Sequence, residues 1–215
     1  MTIGIIGAFE AEIEQFVALF ELRKKDNLEL YTGTYQTKTI IVANSGIGKV
    51  NSAAMTQYLI DHYNIDYMIN SGCAGSLRED VKLLDTVISS MVTYHDFEPV
   101  RVMAFSVPDE GMIKADQRLI ELAKEALEDN PYYLAPICSG DCFVTDSIMR
   151  DNIYAKTSAY AVDMESGSIG HICRKNNVPF IAIRTISDFA DGADDFEIIA
   201  AHKSSELVKK MIELL

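Results

Sequence analysis

The chain has 215 residues, of which 48% are apolar, and a formal net charge of −13. That length fits one domain spanning residues 1–215 with a sizeable core. The acidity argues against nucleic acid, whose phosphates need a basic footprint, and no apolar run reaches the ~20 residues of a membrane span. The start, MTIGIIGAFEAE, lacks the basic region of a secretory signal. Cys73, Cys138, Cys142 and Cys173 fit no zinc or redox spacing and read as reduced thiols of a cytoplasmic protein.

Residues 2–7 form a short apolar run ended by glycine, as in a central strand. A helix is predicted over 9–20, with Ile13, Phe16, Val17 and Phe20 on one face and Glu10, Glu12 and Glu14 in its first turn. The helix dipole favours acids there, so Glu10 and Glu14 read as solvated helix-start residues, while Glu12 is open to either reading. Two strands, 28–34 and 37–44, are joined by a tight turn, and Ser45-Gly46-Ile47-Gly48-Lys49 leads into a helix over 50–63. This glycine-rich turn is neither a Walker A loop nor GxGxxG. It suits either tight packing or close approach of backbone to a ligand.

A strand over 66–70 is followed by a second small-residue turn, 71–76, in which Cys73 is a packing residue unless its pKa is depressed. Residues 84–92 read as a strand ending near His95 and Asp96, with His95 taken as a polar loop residue, and 97–112 reads as a loop. A helix over 116–128 and a strand over 135–139 follow, then Gly140-Asp141-Cys142-Phe143-Val144 and a short helix capped by Thr145 or Asp146. Residues 161–188 read as strand, helix, Asn-Asn-Val-Pro turn and buried strand, placing Asp163 and Glu165 at one strand end and Ser187 and Asp188 at the other. After a loop over 189–193, Asp194 or Asp195 caps a final helix. Strands and helices alternate with short turns, so the expected fold is a three-layer αβα sandwich around a mixed, twisted sheet.

In such folds ligands bind beyond the carboxyl ends of strands. Glu12, Glu165 and Asp188 can therefore converge on one ligand despite their distance in sequence. No metal-ligand cluster, nucleophilic triad or cofactor motif is visible. Paired carboxylates without a metal suit acid–base chemistry, glycosidic cleavage among others. A module that only holds a hydroxylated small molecule would carry the same residues.

Five segments sharpen this: IGIIGAFEAEI, SGIGKVNSA, NSGCAG, SGDCFV, and VDMES with RTISD. In their order and spacing the chain resembles the nucleoside phosphorylase/nucleosidase family over nearly its whole length, and the 5′-methylthioadenosine/S-adenosylhomocysteine nucleosidases in particular. The resemblance implies a purine nucleoside phosphorylase-like fold, no cofactor, an adenine nucleoside as small-molecule partner and a homodimer in which Phe105 or a neighbour reaches across. It implies that Asp188 protonates adenine N7, Ser187 orients Asp188, Glu12 activates water and Arg184 supports Glu12. Glu165, with Met164 and Asp163, would hold the ribose. Phe143 and Val144 would hold adenine, and Cys73 would lie near the water. Ile47 and Phe196 would line the 5′ end, with Phe9 near it, and Ala8 would also touch the substrate. Two departures stand out: the family's VEMEA is VDMES here, and Cys73 stands where the nucleosidases usually carry serine. An anionic co-substrate would be repelled by Glu12 where it should attack, so water is favoured over phosphate. Phosphorolysis, a futalosine-type 5′ substituent and a silent nucleoside-binding protein are the alternatives.

Overall fold

In a computed structural model the described residues are 1–25, 29–98, 100–190 and 196–215, with the side chains of Val100 and Arg101 set aside. Their strands are β1 (Thr2–Gly7), β2 (Arg23–Lys24), β3 (Leu30–Tyr35), β4 (Lys38–Asn44), β5 (Tyr67–Ser76), β6 (Thr86–Tyr94), β7 (Ile113–Lys114), β8 (Tyr132–Ser139), β9 (Ala161–Asp163) and β10 (Phe180–Asp188). The helices are α1 (Glu10–Leu19), α2 (Lys49–Tyr63), α3 (Val100–Ser106), α4 (Gln117–Leu127), α5 (Ser147–Thr157), α6 (Ser166–Lys175) and α7 (Glu197–Leu214). Among the described residues no helix is long and apolar enough to cross a membrane.

The strands form one mixed sheet in the order β10-β6-β8-β9-β5-β1-β4-β3-β2. β10 also pairs with β5, so β5, β9, β8, β6 and β10 close into a ring from which β1, β4, β3 and β2 extend. Alternation along each strand feeds two cores. Ile3 and Ile5 of β1, Ile40 and Val42 of β4, and Ile181 and Ile183 of β10 pack with Phe16 of α1, Leu119 of α4 and Val208 of α7. The intervening Ile6, Ile41, Ala43, Ala182 and Ile186 pack with Leu59 of α2 and with Ile169 and Cys173 of α6. Helices therefore cover both faces of the sheet, as the alternation of elements predicts.

Two expected segments differ. The small-residue stretch 71–76 is no turn: β5 continues through it to Ser76, paired with β10 from Met68 to Gly75. Residues 97–112 are not all loop, because α3 occupies Val100–Ser106 and buries Met103. Pro108 lies beyond the end of this helix rather than within it, and Pro99 lies outside the described residues. Leu28, the expected caps Asp194 and Asp195, and residues 191–193 of the expected loop lie outside the described residues.

Candidate active site

Strands β1, β4, β5, β8, β9 and β10 all deliver residues, at or just past their carboxyl ends, to one cavity of about 370 Å³. From β1 come Ala8, Phe9 and Glu12, and past β4 comes Ile47. β5 supplies Cys73, and the segment after β8 supplies Phe143 and Val144. Asp163, Met164 and Glu165 follow β9, and Ser187 and Asp188 end β10. Twelve of the fourteen expected site residues thus meet in one cavity. The other two, Arg184 and Phe196, are not among its described lining residues. Arg184 lies beneath it, and Phe196 is the half-buried residue before α7.

Arg184 is completely buried and organises the floor. Its Nε donates to Asp163 Oδ2 at 2.7 Å. Its Nη2 donates to Asn70 Oδ1 at 2.7 Å and to Ser166 Oγ at 3.2 Å. Nη1 stands 3.6 Å from Glu12 Oε1, and Nη2 stands 3.6 Å from Glu165 Oε2. Burial alone would favour losing the proton, but the charges of Asp163, Glu12 and Glu165 reverse that and hold the guanidinium charged. The expected support of Glu12 by Arg184 is therefore an ion pair at 3.6 Å, while the close hydrogen bond goes to Asp163.

Glu12, only 2% exposed, accepts from the Ala8 N–H at 2.6 Å and the Cys73 N–H at 2.9 Å. Burial pushes its carboxyl up, against the opposing pull of Arg184 and these two amides. Gly72 makes this geometry possible. A Cβ there would fall 2.0 Å from Glu12 Oε1 and 2.3 Å from Arg184 Nη1.

Glu165 accepts the Gly48 N–H at 2.9 Å. Gly48 has φ +99°, in the left-handed region that favours glycine, so the glycine-rich turn does bring backbone to a site group. Burial first, then the neighbouring Asp163, pushes Glu165 up to about 7, while Arg184 pulls the other way. Asp188 accepts from Ser187 Oγ at 2.8 Å and from the Ala190 N–H at 2.8 Å.

Asp163 is engaged from within the protein. Its Oδ1 accepts from Ser139 Oγ and from the Glu165 and Ser166 N–H groups, each amide at 3.1 Å. Its Oδ2 accepts from Ser166 Oγ and Arg184 Nε. It borders the cavity, but its oxygens hold the start of α6 and the buried arginine. The Cys73 thiol is raised well above its ordinary value, by burial first and then by the charge of Glu12, which removes it as a thiolate nucleophile. His95 follows β6 as the expected polar loop residue, and it is buried there, at 6% exposed, which lowers its pKa. Phe143 is 61% exposed and, with the exposed Ile47, is among the lining residues most open to solvent.

Sequence reading passed over Asn70, Glu197 and Lys49 as site residues. Asn70 carries a signal, a polar side chain inside an apolar strand. Glu197 looks like any acid in a first helical turn. Lys49 donates from its Nζ to Asp96 at 2.6 Å and from its backbone to Asp141 at 2.8 Å. The Asp141 N–H in turn donates to Asp96 at 2.9 Å, so the turn that serves Glu165 is tied to the segment bearing Phe143.

The chain matches the phosphorylase superfamily profile over residues 2–213. It is 36% identical, over 99% of its length and 100% of the relative's, to a 5′-methylthioadenosine/S-adenosylhomocysteine nucleosidase of Staphylococcus saprophyticus. It superposes on the Neisseria meningitidis 5′-methylthioadenosine/S-adenosylhomocysteine nucleosidase in complex with methylthio-immucillin-A with a TM-score of 0.91, at 34% identity, covering 100% of this chain and 99% of that one. A futalosine hydrolase mutant of Helicobacter pylori also superposes with a TM-score of 0.91, at 31% identity and 100% coverage of both chains.

Proposed function

Because the chain belongs to the phosphorylase superfamily, and within it to the 5′-methylthioadenosine/S-adenosylhomocysteine nucleosidase family, we propose that it hydrolyses the N-glycosidic bond of 5′-thio-substituted adenosines, with 5′-deoxyadenosine as a related substrate. The observation that carries this reading is the presentation of Glu12, in the first turn of α1, and Asp188, at the end of β10, to one cavity, with Glu165 between β9 and α6.

Asp188 gives its proton to adenine N7 as the bond from C1′ to N9 breaks and its electron pair leaves with the base. Ser187 holds the carboxyl in place through its hydrogen bond. A water attacks C1′ from the opposite face, and Glu12 takes a proton from it. Opposite-face attack inverts the anomeric carbon, as in inverting glycosidases. Glu165 accepts hydrogen bonds from the ribose hydroxyls, with Met164 beneath the sugar. Phe143 stacks on adenine and the backbone of Val144 reads its edge. Asp163 acts from below, through Arg184 and the start of α6.

A homodimer belongs to the same reading. Phe105 on α3 is 91% exposed, with the exposed Val102 one turn before it, and a second copy would cover this apolar face. Light scattering on the purified protein tests this.

The deciding experiment is product analysis with 5′-methylthioadenosine, without and with phosphate. Adenine and free methylthioribose at equal rates in both buffers support hydrolysis. Adenine only with phosphate, together with a sugar 1-phosphate, makes the protein a phosphorylase. The equal superposition on a futalosine hydrolase keeps another 5′ substituent as the second reading, and a panel of 5′-modified nucleosides separates the two. Binding without release of base would mark a silent nucleoside-binding protein.

A further inference from the structure

Five carboxylates line the cavity, those of Glu12, Asp163, Glu165, Asp188 and Glu197, and among the described residues no lysine, arginine or histidine does. Four of the five are engaged. Glu12 and Glu165 hold backbone amides above Arg184, Asp163 holds Arg184 itself, and Asp188 holds Ser187 and the Ala190 amide. Glu197 differs. It opens α7, is half-buried, and among the described residues no hydrogen bond or ion pair holds its carboxylate.

Its position in the cavity follows from packing. α7 packs against α1, β5 and β10, and its first turn puts Glu197 into the lining of the same cavity as Ala8, Phe9 and Cys73. Its negative charge is felt at Cys73 on the floor, so the carboxylate is within electrostatic reach of the sugar-side groups. On the proposed reading Phe143 and Val144 take the base, Glu165 the ribose, and Phe9, Ile47 and Phe196 the 5′ substituent; Glu197, next in the chain to Phe196, lines the same cavity as Phe9 and Ile47.

We infer that Glu197 determines which 5′ substituents the cavity accepts, favouring amine-bearing ends over carboxylate-bearing ones, with neutral thioethers between. The inference rests on the proposed nucleosidase reading and specifies its substrate class. Arg184 does not offset this field for a ligand, because it is buried and already faces three carboxylates.

The test uses three adenosines that differ only at the 5′ position: methylthio, 2-aminoethylthio and carboxymethylthio. Adenine release is measured for each with the full-length protein and with Glu197→Gln and Glu197→Lys. The expected result is a kcat/KM for the amine on the order of tenfold or more above that for the carboxylate, carried mainly by KM and shrinking as salt is added. Normalised to the methylthio compound, the ratio should collapse toward one in Glu197→Gln and invert in Glu197→Lys. An amine-to-carboxylate ratio that is the same in all three proteins overturns the inference. No release from any of the three compounds by the unmodified protein would instead strike at the nucleosidase reading, so the two failures are distinguishable.

Discussion

Ser166 Oγ lies within hydrogen-bond distance of both Asp163 Oδ2 and Asn70 Oδ1, the latter at 2.8 Å, its single proton serving one of them at a time, and Arg184 donates to all three of these side chains. The two positions that depart from the related VEMEA pattern are thus bonded to each other. A shorter acid at 163 and an added hydroxyl at 166 share one buried space beneath the ribose side. Asp163→Glu alone should crowd Ser166 and displace Arg184, lowering kcat/KM by roughly tenfold or more. Ser166→Ala alone should remove two buried hydrogen bonds and about 1–3 kcal/mol of stability. The double variant should be more active than Asp163→Glu, giving a coupling beyond additivity. Denaturant melts and kinetics on all four proteins check this, and strictly additive effects would refute it.

Gly72→Ala places a methyl 2.0 Å from Glu12 Oε1 and 2.3 Å from Arg184 Nη1. The atoms in the way are ends of side chains, so the expected outcome is a folded protein whose Glu12 is pushed off its amides. Turnover should fall by about a hundredfold, the scale of losing a general base. Circular dichroism and adenine release together report it.

On the proposed mechanism Asp188→Asn and Glu12→Gln each remove one proton-transfer group and should lower kcat by about 10²–10⁴, with the melting temperature changing little for Asp188→Asn at the cavity wall. A fully active Asp188→Asn enzyme would remove Asp188 from its proposed role. Glu12→Gln carries a second expectation: as Glu12 is one of three carboxylates facing Arg184, a neutral amide there should lower the pKa of Glu165 from about 7.

Glu165 also ties stability to pH. Its carboxyl binds its proton more tightly folded, at about 7, than at the ordinary value of 4.5. The folded state therefore holds more protons than the unfolded state between these values, and stability declines as pH rises from about 4.5 to about 7. Glu165→Gln should flatten that part of the profile by on the order of 1–3 kcal/mol. On the proposed role of Glu165, substrate binding should run the other way, strengthening as its carboxyl ionises and can accept from the ribose hydroxyls. Urea titrations and KM measured at several pH values separate the two.

Lys49→Met cuts the Nζ contact to Asp96 and loosens the tie between the glycine turn and the Phe143 segment. KM should rise several-fold with kcat less affected, because adenine contacts are disturbed more than the acid and base. Equal losses in both would argue against this division.

Much of the site was legible because local pattern and chemistry agreed. β1, β4 and β10 are short apolar runs that end in small or acidic residues, and such ends are where α/β sheets gather ligands. The stretch at 71–76 misled because glycines usually mark turns. Here Gly72 keeps a strand open for two charged side chains that arrive from Glu12 and Arg184, far away in sequence. Asp163 lines the cavity as its place in the motif suggested, but its partners Ser139 and Arg184 are fixed by the fold and invisible to local reading. α3 was hidden by its short length and flanking prolines.

β10 is the last strand in the chain, yet it lies between β5 and β6 and closes the five-strand ring. Until it docks, Glu12, Asp163 and Glu165 face one another without their shared cation, and Gly72 and Gly75 border an empty slot. A chain in which β10 has not docked lacks both Arg184 and Asp188 at the cavity. Activity should therefore appear in a single step during synthesis or refolding, when one strand delivers both the counter-ion and the proposed acid.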